Sequence, residues 1–183
     1  MKIIFLGSQG SGKSTQAKLA AQKLHLPWIE MGQLLRDRVE TNDQVAAEIR
    51  KALEIGNLAP DNFVIKTLQE RLTKPDCSNG YVLDGFPRNY AQLEGLNPDI
   101  DKVFYIQVSD PEGIKRLMKR ARSDDTLAVI TKRLENYNRQ TKPLLDYFRQ
   151  KSLLVEIDGE RTIEEIERDI KARIINEEPK NKI

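Results

Sequence analysis

A chain of 183 residues can bury the core of one medium-sized domain, with room for an insertion but not for a second ordinary domain. Its 30 Lys and Arg nearly cancel its 28 Asp and Glu to a net charge of +2, so nothing global draws it to nucleic acid or to an anionic membrane, and any basic site must be made by local placement. The single cysteine, Cys77, excludes an internal disulfide and no apolar run approaches the roughly 18 residues of a membrane span; the expectation is a soluble, cytoplasmic, monomeric protein.

In chain order, Lys2–Leu6 reads as a buried strand that runs into "GSQGSGKSTQ", Gly7 to Gln16, and then into a helix over Lys13–His25. Gly7-x4-Gly12-Lys13-Ser14 fits the phosphate-loop pattern G-x-x-x-x-G-K-[ST]. In that setting backbone N–H groups and the positive end of the helix dipole point at bound phosphate. Lys13 reaches the β- and γ-phosphates, and Ser14 can place its hydroxyl on Mg²⁺. Gly10, Ser11, Gly12, Lys13, Ser14 and Thr15 are therefore the expected seat of a nucleoside triphosphate.

A brief strand, Trp28–Ile29, is followed by two helices, Gly32–Thr41 and Gln44–Ile55, with no strand between them. That break in rhythm predicts a helical insert over about 31–60, entered at Met31-Gly32 and left at Gly56 through Pro60. A helix over Pro60–Leu72 leads back to a strand, Tyr81–Leu83. This strand delivers Asp84 to the edge where doubly wound sheets bind ligands, with a carboxylate suited to Mg²⁺ or its waters. Arg88 follows Pro87, and its forked guanidinium suits a phosphate.

Further along, a helix over Tyr90–Leu96, a strand over Lys102–Val108 and a helix over Pro111–Arg120 precede one long helix, Asp124–Arg149. Asp124 or Asp125 would cap it, Pro143 would kink it, and Val129, Arg133 and Tyr137, four apart, would share a face. A strand over Leu153–Ile157 and a helix over Ile163–Ile175 finish the pattern, and the tail 177–183 reads as unstructured. Strand–helix alternation predicts an α/β fold with a parallel sheet covered on both faces. It is read as one domain, 1–183, with its core in 1–30 and 61–176.

The segments "GSQGSGKSTQ", "MGQLLR", "GNLAPD", "DGFPRNYAQ" and "RARSDDTLAVITKRLENYNRQTKPL", in this order and spacing, resemble the adenylate kinase family of nucleoside monophosphate kinases, from Met1 to about residue 175. The resemblance implies a P-loop nucleoside triphosphate hydrolase-like core of five parallel strands flanked by helices, a helical insert that binds the monophosphate, and a lid. It also implies the reaction ATP + AMP ⇌ 2 ADP with Mg²⁺, so the partners are small nucleotides. Carried over, Lys13 is the loop lysine and Asp84, with Ser14, the metal side. Arg36 and Arg88 grip the acceptor phosphate. Gln92 hydrogen-bonds the acceptor adenine, and Leu58 and Ala59 line its base, with Gly32 and Gly85 in the same AMP site. Arg120, Arg122 and Arg133 close over the transferring phosphoryl group, Arg120 also on the ATP side, and Asp124 and Asp125 position them. The arginine set is what phosphoryl transfer demands, since catalysis there is alignment and charge stabilisation behind a cover that excludes water.

Three departures from the family stand out. Gly12-Lys13-Ser14-Thr15 replaces the usual G-K-G-T, and Met31-Gly32-Gln33 replaces Thr-Gly-Asp before Leu34-Leu35-Arg36. The first adds a possible Mg²⁺ ligand where the second removes a carboxylate, so the two are expected to compensate. Arg120 and Arg122 flank a single Ala121, a vestigial lid at about 120–125 that predicts a leakier site. Two alternatives remain open: a kinase for UMP, CMP or a deoxynucleotide, and a regulatory module that binds nucleotide but barely transfers phosphate. His25, Cys77 and Trp28 are expected to be structural.

Overall fold

Ile3, Ile4, Phe5 and Leu6 are apolar at every position rather than at alternate ones, the pattern of a strand covered on both faces, and they form the middle strand of the protein, β1 (Lys2–Leu6). The computed structural model describes residues 1–41, 43–120 and 126–175. β1 pairs in parallel with β3 (Tyr81–Asp84) on one side and with β4 (Lys102–Gln107) on the other. β2 (Trp28–Glu30) lies outside β3 and β5 (Leu154–Asp158) outside β4, giving the order β2-β3-β1-β4-β5. From β1 the chain crosses to the edge strand β2, returns inward to β3, and then passes over β1 to β4 and out to β5. The loop after β1 therefore lies where the winding reverses, which is where open α/β sheets take their ligands.

Each sheet face has its own core. Ile3, Phe5, Val82, Phe104, Ile106 and Ile157 meet α1 (Lys13–Leu24) and α8 (Ile163–Ile175), where Ala17, Ala20 and Ala21 are small enough to let α1 lie close to the strands. Phe5 and Phe104 stack with ring centroids 5.3 Å apart. The opposite face packs under α4 (Asp61–Leu72) and the insert, whose Met31, Leu35 and Ile49 join Ile4, Leu6 and Leu83. The insert is α2 (Met31–Val39) followed by α3 (Gln44–Glu54), which Asp43 caps by accepting the Ala46 N–H at 2.8 Å. α5 (Asp110–Arg120) follows β4.

Several boundaries differ from expectation. β2 runs one residue further than expected, through Glu30, and α2 begins one residue earlier, at Met31. Tyr90–Leu96 is not an α-helix. It is a 3₁₀ turn, Ala91–Gly95, tied down by the Gln92 N–H donating to Asn89 Oδ1 at 3.0 Å.

The long helix predicted over Asp124–Arg149 is two helices, α6 (Leu127–Asn136) and α7 (Leu144–Gln150), joined by a π-turn at Tyr137–Thr141. Pro143 has no N–H to give, and the turn before it widens so that the Lys142 N–H reaches Tyr137 O, five residues back, at 2.9 Å. The cap of α6 is Thr126, which accepts the Val129 N–H, and not Asp124 or Asp125, which lie with the lid outside the described residues. His25 caps α1 in the left-handed conformation at φ 53°. Cys77 is buried in a 3₁₀ turn and Trp28 packs at the edge of the α1 core. The tail 177–183 is also outside the described residues.

Candidate active site

The sequence places two glycines before Lys13 because the backbone there must do what other residues resist. Gly12, the N-cap of α1, is left-handed at φ 88° and ψ 3°. The space where its Cβ would stand is open, with only Arg116 Nη1 reaching to 4.0 Å. The first turn of α1, Lys13 to Thr15, lines a cavity, the setting in which a helix N-terminus holds an anion, while the Lys13 N–H also donates to Ser11 Oγ at 3.4 Å. Lys13 folds back over the loop and donates from Nζ to Ser8 O at 3.3 Å.

That cavity, about 620 Å³ in volume, is walled by the ends of β1, β2 and β3 and by the helices that follow them. Asp84 ends β3 and is 1% exposed. Burial pushes its pKa up, against the pull of the Lys13 charge and the Ser14 hydroxyl, and the nearby Glu30 adds to the rise. Neither Asp84 oxygen has a hydrogen bond of sound geometry. A buried carboxylate in that condition, next to a hydroxyl and at the mouth of a phosphate loop, suits Mg²⁺. Among the described residues no three carboxylate, histidine or cysteine side chains gather into a cage, and Mg²⁺ is usually held by one or two carboxylates plus substrate phosphates.

Opposite the loop stand the arginines. Arg88 follows the cis Phe86–Pro87 peptide, and its Nε donates to Gly85 O at 2.8 Å. Burial, together with the like charges of Arg133 and Arg36, lowers its pKa, while Asp84 and Glu30 hold it up. Arg36 from α2 and Arg133 from α6 line the same cavity as Arg88 and Lys13. Tyr137, at the start of the π-turn, lines it too, whereas Val129, expected on the same face, does not.

Of the expected residues, Gly10, Ser11, Gly12, Lys13, Ser14, Thr15, Gly32, Arg36, Leu58, Asp84, Gly85, Arg88 and Arg133 all line this one cavity. Ala59 does not: it turns into the core and into a separate shallow depression beside Pro60. Nor does Gln92, which lies behind Arg88 at 1% exposure. Its Oε1 accepts the Arg88 N–H and its Nε2 donates to Asp61, each at 2.8 Å, so it braces the arginine rather than facing the cavity. Arg120 ends α5, and its side chain, like Arg122, lies outside the description.

Sequence reasoning missed a group of wall residues. Arg116 and Leu117 from α5, with Arg161, Thr162 and Ile163 ahead of and within α8, also line the cavity. Arg116 is held there by Glu112 at 2.8 Å and by Gly159 O at 2.9 Å. The available signals were positional: Arg116 is one turn before Arg120, and residues 159–163 follow a strand at its ligand-binding end. Glu30 was missed as well. One cavity wall thus includes residues of the insert, Arg88, the phosphate loop, α5 and the start of α8.

Comparison with known proteins identifies the family. A family model described as adenylate kinase matches residues 5–153. An adenylate kinase of Leptospira biflexa is 39% identical over 176 residues, covering 90% of this chain and 95% of the relative. Adenylate kinase 1 of Nostoc sp. is 36% identical over 180 residues, covering 94% of this chain and 98% of the relative. An adenylate kinase of Methanocella arvoryzae is 34% identical over 212 aligned positions, covering 95% and 98%. Those 212 positions exceed the 183 residues of this chain, so that relative carries residues with no counterpart here.

Proposed function

The chain belongs to the adenylate kinase family, and from that premise we propose that it catalyses the reversible transfer of a phosphoryl group from Mg-ATP to AMP, giving two ADP. The observation that carries the reading is the convergence of Lys13, Arg36, Arg88 and Arg133 on one cavity that is also lined by a buried Asp84 without a hydrogen-bond partner.

ATP lies with its phosphates on the N–H groups of the loop and α1, its base toward Arg116 and Ile163. AMP lies on the insert side of the cavity near Leu58, its phosphate between Arg36 and Arg88. One AMP phosphate oxygen attacks the γ-phosphorus. A new P–O bond forms there as the bond to the bridging oxygen breaks, and the electron pair leaves on the β-phosphate of ADP. Lys13 offsets charge on the β- and γ-oxygens, and Arg133 offsets it from the α6 side. Arg120 and Arg122 are proposed to complete that ring of charge. Asp84 and Ser14 are the residues that would hold Mg²⁺, which when bound would offset negative charge on the phosphates as it develops. Gln92 acts on the acceptor through Arg88, whose backbone it fixes.

The unit that binds the monophosphate is proposed to be the 31–60 insert, with 120–125 as a minimal lid. Free, buried Cys77 supports a reducing compartment, and we read the enzyme as cytoplasmic and monomeric. Among the described residues no helix is long and apolar enough to cross a membrane.

Purified protein given Mg-ATP with AMP, CMP, UMP, GMP or dAMP, beside a control without acceptor, tests the proposal. ADP formed with AMP and not with CMP or UMP is the expected result. ATP binding with no acceptor-dependent ADP would contradict it.

A further inference from the structure

Glu30 stands on the cavity wall with no part in the steps above. It ends β2 in register with Asp84, and its side chain is 20% exposed. A carboxylate beside a phosphate site repels the charge the substrate brings, so its presence calls for a compensating role.

The hydrogen bonds of Arg36 supply one. A guanidinium has five N–H donors. Here Nη2 donates to Glu30 Oε1 at 3.1 Å and to Gln33 Oε1 at 2.9 Å, and Nε donates to Gln33 Oε1 at 3.2 Å. Gln33 is itself steadied by donating to Asp37 at 2.6 Å. One edge of the fork is thus clamped, while the two N–H groups of Nη1 have no partner among the described residues. Gly32 leaves the room this needs, because a Cβ there would stand 3.3 Å from Nη1 and 3.6 Å from Glu30 Oε1. An acceptor phosphate can take Nη1 without displacing Glu30.

Resting on the proposed function, we propose that Glu30 is a positioning residue for the acceptor: its carboxylate holds Nη2 of Arg36, together with Gln33 on Nε and Nη2, and so leaves Nη1 set for the phosphate of AMP. The same arrangement accounts for Gln33. It holds the guanidinium from the helix side, so the carboxylate serving this wall comes from Glu30 and not from position 33.

The test compares wild type with Glu30→Gln, Arg36→Lys and the double variant, measuring KM for AMP and for ATP, kcat, Tm and calorimetric binding of AMP. Glu30→Gln is expected to weaken AMP roughly tenfold in both KM and Kd, as for loss of one charge-assisted hydrogen bond, with KM for ATP and Tm unchanged. In the Arg36→Lys background the same change should cost nothing further. Unchanged AMP affinity, equal losses for ATP and AMP, or an undiminished loss beside Lys at 36 would each overturn the proposal. Tighter AMP binding would do so too, by making Glu30 a competitor of the phosphate. Calorimetry needs no turnover: wild type that binds AMP but forms no ADP contradicts the proposed function and leaves the role of Glu30 measurable, whereas wild type that does not bind AMP overturns both.

Discussion

At the scale of single residues, the site is built from groups whose ordinary preferences are opposed. Asp84 is kept buried and without hydrogen bonds where its charged form is disfavoured, and Arg88 is kept buried among like charges. On the proposed function, substrate phosphate and its cation would supply the charges that each lacks. Ser14 lines the cavity with Asp84, so Ser14→Ala should raise the Mg²⁺ concentration needed for half-maximal turnover several-fold, while binding of metal-free ATP stays the same; a titration at fixed ATP reads this, and an unchanged Mg²⁺ requirement would remove Ser14 from the metal site. Arg88→Lys should lower kcat/KM for AMP by about a hundredfold, because an ammonium cannot both hold Gly85 O and meet a phosphate. Steady-state kinetics against AMP and ATP separately would show whether the loss falls on the acceptor.

Much of this was legible in the sequence. The loop from Gly7 to Ser14 announces itself by spacing, and Asp84 and Arg88 by their place after an apolar strand. Glu30 was not legible: after Trp28–Ile29 a lone carboxylate gives no sign of the face it lines, and pairing with Arg36 depends on α2 starting at Met31. Ala59 and Gln92 sit at the right places along the chain, but which way the turns at Pro60 and Asn89 present them is set by Asp61 and the 3₁₀ turn.

At the scale of elements, strands were easier to read than helix ends. β1, β3 and β4 are buried on both faces and show as unbroken apolar runs. The helical stretch 126–150 instead carries a continuous 3.6-residue pattern across a point where Pro143 cannot donate, so the pattern hides the π-turn that divides it. The division matters, because it turns Tyr137 and Thr141 inward, and the Thr141 hydroxyl donates to Arg88 O at 2.7 Å. Thr141→Val should therefore impair the acceptor side more than the donor side, seen as a rise in KM for AMP with ATP unaffected. Thr126 caps α6 at its entry, and Thr126→Ala should cost about 1 kcal/mol, read as a lower midpoint in urea with the slope unchanged. No change in midpoint would mean that the first turn of α6 is held by something other than its cap.

At the scale of the whole molecule, the insert and α6 meet across the cavity. Asn136 donates to Gly56 O at 3.1 Å and to Asn57 Oδ1 at 3.3 Å. Gly56 lies so close to α6 that a Cβ would stand 3.1 Å from Val129 O. This seam joins the exit of the insert to the helix that carries Arg133. If 120–125 is the minimal lid proposed above, with only Ala121 between Arg120 and Arg122, water exclusion would fall more heavily on this seam. Asn136→Ala should lower Tm by about 2–4 °C and increase phosphate release from Mg-ATP without acceptor; equal release from wild type and variant would show that the seam does not guard the site.

The central claim is reversible phosphoryl transfer between adenine nucleotides, and it is tested most directly by following ³¹P resonances of the Mg²⁺-loaded protein from both ends, once with ATP and AMP and once with ADP alone. The account predicts that both samples converge on the same mixture of ATP, ADP and AMP, with inorganic phosphate appearing far more slowly. ADP that stays unchanged, or ATP lost only to inorganic phosphate, would contradict it.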